Sequence, residues 1–271
     1  MTALVLGADG ATGAYLSRLL EARGQELFVS PANSAGIATL MGPEPRLTPV
    51  PQHDVLALVK TMDQGTLYAL NDGSADQAAL IDEALAAAPA GLRLAHVVDN
   101  RVLRRSPALL ATAKQVAALR RDGGRAATNV ILHDHDSRLG PTDLVTARVI
   151  AAAYAAGQDA PLPLLEIAET GPRDWGWTAE YVDAIGRVAA LDTPVDFAVA
   201  SGHTLTVAEI VEHAFAFFRR SPDGLVRILP GEGSPEAPVD TARLKTATGW
   251  SASTWGRDLV RALCEGAAAR Q

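Results

Sequence analysis

Ala3-Leu4-Val5-Leu6-Gly7-Ala8-Asp9-Gly10-Ala11-Thr12-Gly13 is the stretch that decides the fold. Four apolar residues read as a short buried strand. Gly7, Gly10 and Gly13 then form a Gly-x-x-Gly-x-x-Gly array that opens a helical pattern from Ala14 to Arg23, with Leu16, Leu19 and Leu20 on one face and a stop at Gly24. Glycine at these positions lets the backbone turn sharply and lets a pyrophosphate approach amides at the helix N-terminus, where the dipole favours negative charge. Gly7, Gly10, Ala11, Thr12 and Gly13 are therefore candidate cofactor contacts. A tight β-to-α turn that holds no ligand is the other reading, and Asp9 supports it by adding negative charge inside the loop.

Beyond this unit the alternation continues. Glu26 to Ser30, Thr66 to Leu70, Leu92 to Val98 and Asn129 to His133 read as further strands. Ala75 to Ala88 and Pro107 to Arg121 read as helices, with Pro107 suited to a first helical turn. Strands alternating with helices argue an α/β fold, a doubly wound parallel sheet covered on both faces. After about residue 135 the pattern loosens into proline-bearing loops around helices near 141 to 156, 178 to 190, 206 to 219 and 253 to 268, a texture that fits a small C-terminal α/β cap. The expected division is 1-135 with 174-203 as the dinucleotide-binding domain, and 136-173 with 204-271 as the substrate-binding cap.

Composition narrows the function classes. With 271 residues, 48% hydrophobic and 20% charged, the chain can bury a full core, and no stretch approaches the roughly 18 uninterrupted apolar residues of a membrane span. No membrane is expected as a partner. The N-terminus runs straight into a strand without the basic region of a signal peptide, so the expected location is cytoplasmic. Cys264 is the single cysteine, which excludes an intrachain disulfide and cysteine-based metal sites. The net charge of -7 and the scattered basic pairs Arg104-Arg105 and Arg120-Arg121 argue against nucleic acid.

Arg173-Asp174-Trp175-Gly176, followed by Tyr181-Val182 and a helix, resembles the extended short-chain dehydrogenase/reductases of the GDP-mannose 4,6-dehydratase type. The likeness runs on through Ser201-Gly202 to Val239-Asp240-Thr241-Ala242-Arg243-Leu244-Lys245 and Gly249-Trp250. Upstream it includes Ser137-Arg138-Leu139-Gly140 and Leu144-Val145-Thr146-Ala147-Arg148. The resemblance implies a Rossmann-like sheet, a bound NADP or NAD and a nucleotide sugar as ligand. It places Ser30, Asp54, Leu70, Asn71 and Lys114 beside the cofactor, and Asn71 to Ser74 in a cofactor-facing turn able to act through backbone groups. It places His133, Arg138, Arg148 and Arg173 toward the nucleotide sugar. The end of the second strand (Ser30, Pro31, Ala32, Asn33) carries neither an acid for a ribose 2′-OH nor an arginine for a 2′-phosphate, so the choice between the two cofactors stays open.

The same resemblance exposes a loss. That family oxidises C4 of the hexose, eliminates water across C5 and C6, and returns the hydride to C6, using a tyrosine, a threonine or serine, and a glutamate. Here those positions are Leu110, Val98 and Asn100. A phenol works because the neighbouring lysine ammonium lowers its pKa, and leucine has no proton to exchange. Arg101 to Ser106 replaces a long loop. Other assignments keep two readings: Asp54 is a ligand or a helix N-cap, Lys114 a ribose contact or a surface lysine, and Arg148 and Arg173 phosphate contacts or structural ion pairs. Trp175, Trp177, Trp250 and Trp255 are expected as packing anchors.

His133-Asp134-His135 puts two imidazoles on one face of a strand end, without a third ligand dictated by spacing, so no metal is expected. The sequence thus supports a non-catalytic or altered relative, a pseudoenzyme acting as partner or regulator. The alternative is an active nucleotide-sugar-modifying enzyme in which His133 or His135 replaces the lost base and Lys114 orients the cofactor. The apolar positions of helices 75 to 88 and 107 to 121 imply a homodimer.

Overall fold

The computed structural model describes residues 1–31, 35–42, 44–169, 171–231 and 236–269. In chain order these form β1 (Thr2–Leu6), α1 (Ala11–Ala22), β2 (Glu26–Ser30), α2 (Ala35–Met41), β3 (Thr48–Pro49), α3 (Val55–Thr61), β4 (Thr66–Asn71) and α4 (Ala75–Ala87). Then come β5 (Arg93–Asp99), α5 (Asn100–Arg105), α6 (Pro107–Gly123), β6 (Ala127–Leu132), β7 (Asp134–Asp136), α7 (Val145–Gly157), β8 (Leu165–Glu169) and β9 (Arg173–Trp177). The chain ends with α8 (Thr178–Ala189), β10 (Phe197–Val199), β11 (Thr204–Leu205), α9 (Val207–Phe217), β12 (Val226–Pro230), α10 (Ala242–Thr248) and α11 (Gly256–Ala268).

Two compact units result: residues 1–133, 181–199 and 242–250 form the first, and 134–180, 200–241 and 251–271 the second. The sequence reading grouped 242–250 with the cap. Those residues pack in the first unit: the Arg243 guanidinium lies 5.2 Å from the Phe197 ring centroid, Arg187 donates to the Thr248 carbonyl at 3.2 Å, and Trp250 meets Tyr181 edge-on.

The first unit is built on a seven-stranded sheet of order β10-β6-β5-β4-β1-β2-β3, every pair parallel. The chain winds outward from β1 through β2 to β3, then returns to β4 beside β1 and winds the other way. The β1/β4 junction is therefore the topological switch point, outside whose strand carboxyl ends ligands bind in open α/β sheets. Leu4, Leu6, Leu67, Ile81, Leu85 and Leu94 belong to one buried cluster that glues α3, α4 and α6 to the sheet. The doubly wound parallel sheet is as expected. β3 and β10 were not foreseen, being two and three residues long, too short to show a pattern. Nor was α5: the short connection 101–106 is helical, with Asp99 as N-cap accepting from the Arg101 amide at 2.7 Å.

α6 begins as its sequence dictates. Ser106 caps it by accepting from the Leu109 amide at 3.3 Å, Pro107 opens the first turn, and Gly124 ends it in the left-handed region at φ 60°. In the second unit, α7, α9 and α11 bury Val149, Ala153, Ile210, Phe215, Val260 and Leu263 against one another and against Trp175. β7, β9 and β11 form one small sheet and β8 with β12 another. Among the described residues no helix is long and apolar enough to cross a membrane.

Candidate functional site

At the carboxyl end of β1 the glycine loop is shaped by three different demands. Gly7 sits at φ +74°, and a Cβ there would lie 2.3 Å from the Leu70 carbonyl oxygen, so the loop and the end of β4 touch backbone to backbone. Gly13 is pressed against β1's exit, where a Cβ would meet the Ala8 Cα at 2.5 Å. Gly10, the N-cap of α1, has open space where a side chain would project, and no side chain caps the helix. Two of the glycines therefore serve the fold, and the third leaves the room in front of the helix N-terminus that an anion needs. The residues present fit a dinucleotide pyrophosphate.

The neighbours of the loop are largely buried. The Ser30 carbonyl accepts from the Gly7 and Ala8 amides at 2.8 and 3.3 Å, binding β2 to the turn. Ala11 and Thr12 are half-buried in the first turn of α1, and Leu70 and Asn71 are buried at the end of β4. Ala32 and Asn33, where the cofactor-distinguishing residue was sought, lie outside the described residues. Asp54 immediately precedes α3 but makes no side-chain cap; it is exposed and lies 3.5 Å from His53.

The residues that the resemblance sets at the family's proton-moving positions, Val98, Asn100 and Leu110, lie on β5, α5 and α6. Val98 is buried with Leu103 and Leu109 in a small apolar cluster. Asn100 opens α5, where its Oδ1 accepts from the Arg104 guanidinium at 3.1 Å. Leu110 is 41% exposed, and Lys114 follows one turn later on the same exposed stripe of α6. Beneath them lies a polar feature that the sequence reading missed. His96, fully buried on β5, has Nδ1 2.9 Å from Asn129 Oδ1, while the Asn129 amide donates to the Ala113 carbonyl of α6 at 3.0 Å. With Asn129 so oriented, Nδ1 carries the proton and Nε2 is a bare lone pair, buried without a partner. Burial pushes the His96 pKa below its usual value, against the opposing pull of Asn129, Asp82 and Asp196.

His133, half-buried, belongs to the first unit, and its amide donates to the Val199 carbonyl at 2.9 Å. His135 is half-buried in β7 of the second unit. No group of three metal-ligating side chains occurs among the described residues. In the second unit Arg173 ion-pairs with Asp134, whose side chain is 3% exposed, and its guanidinium lies 5.2 Å from the Trp175 ring centroid. Arg148 is exposed on α7 and donates to the Glu166 carbonyl at 3.1 Å. Arg138 is exposed with its stem laid against Gly266 of α11, where a Cβ would meet the Arg138 Cγ at 2.5 Å.

Asp174, between Arg173 and Trp175, is the knot of this unit: fully buried, it accepts from the Ser201 amide and hydroxyl at 2.7 Å each and from the Gly202 amide at 2.8 Å. A cavity of about 240 Å³ lies among the Asp136–Thr142 turn, α7 and α11, with Ile150, Tyr154 and Leu263 in its wall. None of the arginines above lines it.

Comparison with known proteins agrees with this layout. The GDP-mannose 4,6 dehydratase family profile matches residues 108–262, more than half of the chain. A GDP-mannose 4,6 dehydratase of Dictyostelium discoideum is 40% identical over 92 residues, covering 33% of this chain and 25% of that protein. One from Sinorhizobium fredii strain HH103 is 34% identical over 121 residues, covering 44% of this chain and 32% of that protein. The matched stretch thus spans a third or less of these relatives. In three dimensions the chain is similar to the crystal structure of a Bacillus anthracis dTDP-glucose 4,6-dehydratase in complex with NAD, at TM-score 0.79 and 10% identity over 99% of this chain and 97% of that one, a likeness of fold. The matched stretch contains the Arg173–Gly176 signature, and the chain belongs to the GDP-mannose 4,6 dehydratase family of extended short-chain dehydrogenase/reductases.

Proposed function

We propose that this protein binds a nicotinamide dinucleotide and a nucleotide sugar without standard dehydratase turnover, acting as a non-catalytic or altered relative within its family. The observation that carries the reading is Leu110: at the position of the family's tyrosine stands a hydrocarbon side chain, 41% exposed, one helical turn before Lys114. Val98, at the threonine position, is packed with Leu103 and Leu109, and Asn100, at the glutamate position, is engaged with Arg104. General acid-base groups each contribute roughly a hundredfold to ten-thousandfold, so losing three leaves almost none of the reaction.

Binding is a separate matter from turnover. A nicotinamide ring, when bound, supplies a hydride-accepting centre. The amides at the N-terminus of α1, which follow Gly10, would hold its pyrophosphate, and Lys114 would donate to the ribose on its nicotinamide side. Arg138, Arg148 and Arg173 present guanidinium groups suited to a nucleotide diphosphate. Support comes from the open side of Gly10 and from the family's own ligands.

The test is direct. Purified protein is denatured and its supernatant checked by absorbance and mass spectrometry for a dinucleotide; the intact protein is then incubated with GDP-mannose and NADP. We expect binding and no 4-keto-6-deoxy product. Turnover of about 1 per second or faster would overturn the reading and return His133 or His135 to consideration as the base.

A further inference from the structure

We propose that the cavity between α7 and α11 is a binding site for a small uncharged aromatic molecule of two fused rings, separate from the nucleotide-sugar site proposed above. Its apolar walls follow from helix periodicity. Ala147, Ile150, Ala151 and Tyr154 lie along one face of α7, and Leu263 and Ala267 along one face of α11. Three of these six are alanines, and a longer side chain at any of them would occupy the space. Ile150 and Leu263 are buried, whereas Ala151 and Thr142 are exposed and mark the mouth.

The room is built into the fold. The turn at one end is closed on Asp136, whose Oδ1 accepts from the Ser137 amide at 2.6 Å and whose Oδ2 accepts from the Thr146 hydroxyl at 2.5 Å. Gly140 lies so close to Oδ1 that a Cβ would not fit. Tyr154 is set edge-on against Phe218, with ring centroids 5.5 Å apart. An apolar cavity of about 150 Å³ holds benzene. The volume here, about 240 Å³, leaves room for a second fused ring.

Charge decides the class of occupant. Among the described residues that line the cavity there is no lysine or arginine, and the Asp136 carboxylate stands in its wall. A phosphate or carboxylate would meet that charge with no cation to offset it. Arg148, although on α7, reaches the Glu166 carbonyl of β8 at 3.1 Å and does not line the cavity. Ser137 suits a neutral ligand. It is 5% exposed, its hydroxyl oxygen accepts from the Leu139 amide at 3.1 Å, and its hydroxyl proton has no acceptor among the described residues. A ring nitrogen supplies one.

Quinoline, uncharged near neutral pH, is the probe, and its anionic 2-carboxylate is the control. Methyl spectra of the full chain are recorded during titration with each, for wild type and Ala151→Phe, with a melting curve for both proteins. We expect quinoline to move the methyl signals of Ile150 and Leu263 with a dissociation constant of about 1 mM or tighter. The carboxylate should bind about tenfold more weakly. Ala151→Phe should weaken quinoline by about tenfold or more and melt no lower than wild type, because its ring fills the space. Saturating GDP-mannose should leave the quinoline shifts in place. Absence of shifts at Ile150 and Leu263, equal affinity for the carboxylate, or undiminished binding by Ala151→Phe overturns the inference. A lower melting temperature in that variant does so too, since a ring that cannot be seated shows that the room is absent. Displacement by GDP-mannose overturns it by making the cavity part of the nucleotide-sugar site.

Discussion

Replacing Asp174 tests whether the Arg173–Gly176 signature is there for the fold or for a ligand. Its carboxylate is fully buried and receives three donors, the Ser201 amide and hydroxyl at 2.7 Å and the Gly202 amide at 2.8 Å. Hydrogen bonds to a charged group contribute about 1.5–3 kcal/mol each, and a buried donor left without an acceptor costs about 1–3 kcal/mol. These terms overlap because the same donors appear in both, and relaxation or an entering water recovers part of the loss. Asp174→Ala should therefore destabilise the second unit by about 3–5 kcal/mol, the range found when a buried charge network is broken. Asp174→Asn keeps one acceptor oxygen for Ser201 but turns NH₂ toward the Gly202 amide, so about 2 kcal/mol is expected for the loss of charge and one donor–donor conflict.

Urea unfolding followed by tryptophan fluorescence measures both, since Trp175 is buried in the core of that unit. The order wild type, asparagine, alanine is the signature of the hydrogen-bond argument. A loss below about 1 kcal/mol for the alanine variant, the typical effect of an ordinary substitution, would refute it. So would an asparagine variant as weak as alanine.

Three further outcomes follow from the geometry. Gly10→Val should leave the melting temperature near wild type and abolish dinucleotide binding, whereas Gly13→Ala should lower the melting temperature, because its Cβ would meet Ala8 at 2.5 Å while that of Gly10 meets nothing within 4 Å; equal behaviour of the two variants contradicts this division of labour. His96 has a folded-state pKa below 6.5, so the unfolded chain binds the extra proton first: stability should be flat above about pH 6.5 and fall as pH drops through that value, in urea titrations of wild type but not of a variant lacking the imidazole. We expect α4 and α6 to pair two copies of the chain through a four-helix contact, and light scattering that returns a monomer mass at micromolar concentration would exclude it.

The sheet was legible because its strands are runs of buried apolar residues punctuated by glycine, and because the Gly7–Gly13 array fixes strand, turn and helix together. Pro107 likewise announced the start of α6, whereas its Ser106 cap emerged only in the structure. What stayed hidden depends on partners distant in sequence. Nothing in Phe197–Val199 shows that it is a strand until Val130 to Leu132 lies beside it. Asp99 is a visible N-cap signal for α5, yet the shortness of that connection read as loop. Arg173 reads as a phosphate contact or a structural ion pair, and nothing in its own neighbours shows that the acid it pairs with is Asp134. Nor could Asp174 be recognised as a knot, because Ser201 and Gly202 reach it only after β9 and α8 have run their course. The second unit's arginines therefore carry a structural alternative, and a binding defect in Arg173→Ala would be read together with the cost of stranding Asp134.

Residues that hold this fold and residues that would move protons separate cleanly. Gly7, Gly13 and Asp174 are each locked by close backbone contact or buried hydrogen bonds, so changing them carries a cost in stability whatever the chain does. Leu110 is on an exposed helix face and Val98 in an apolar cluster, where a tyrosine or threonine is required by chemistry and not by packing. If the crevice binds and does not react, its effect is a shift in the protein's own stability. A dinucleotide present at 100 times its dissociation constant raises unfolding free energy by about 2.7 kcal/mol, and in a protein that does not turn over, that gain persists for as long as the ligand is present. Adding GDP-mannose to the dinucleotide complex should then raise the melting temperature and hold it there, whereas a working dehydratase would show the shift drift as substrate is consumed.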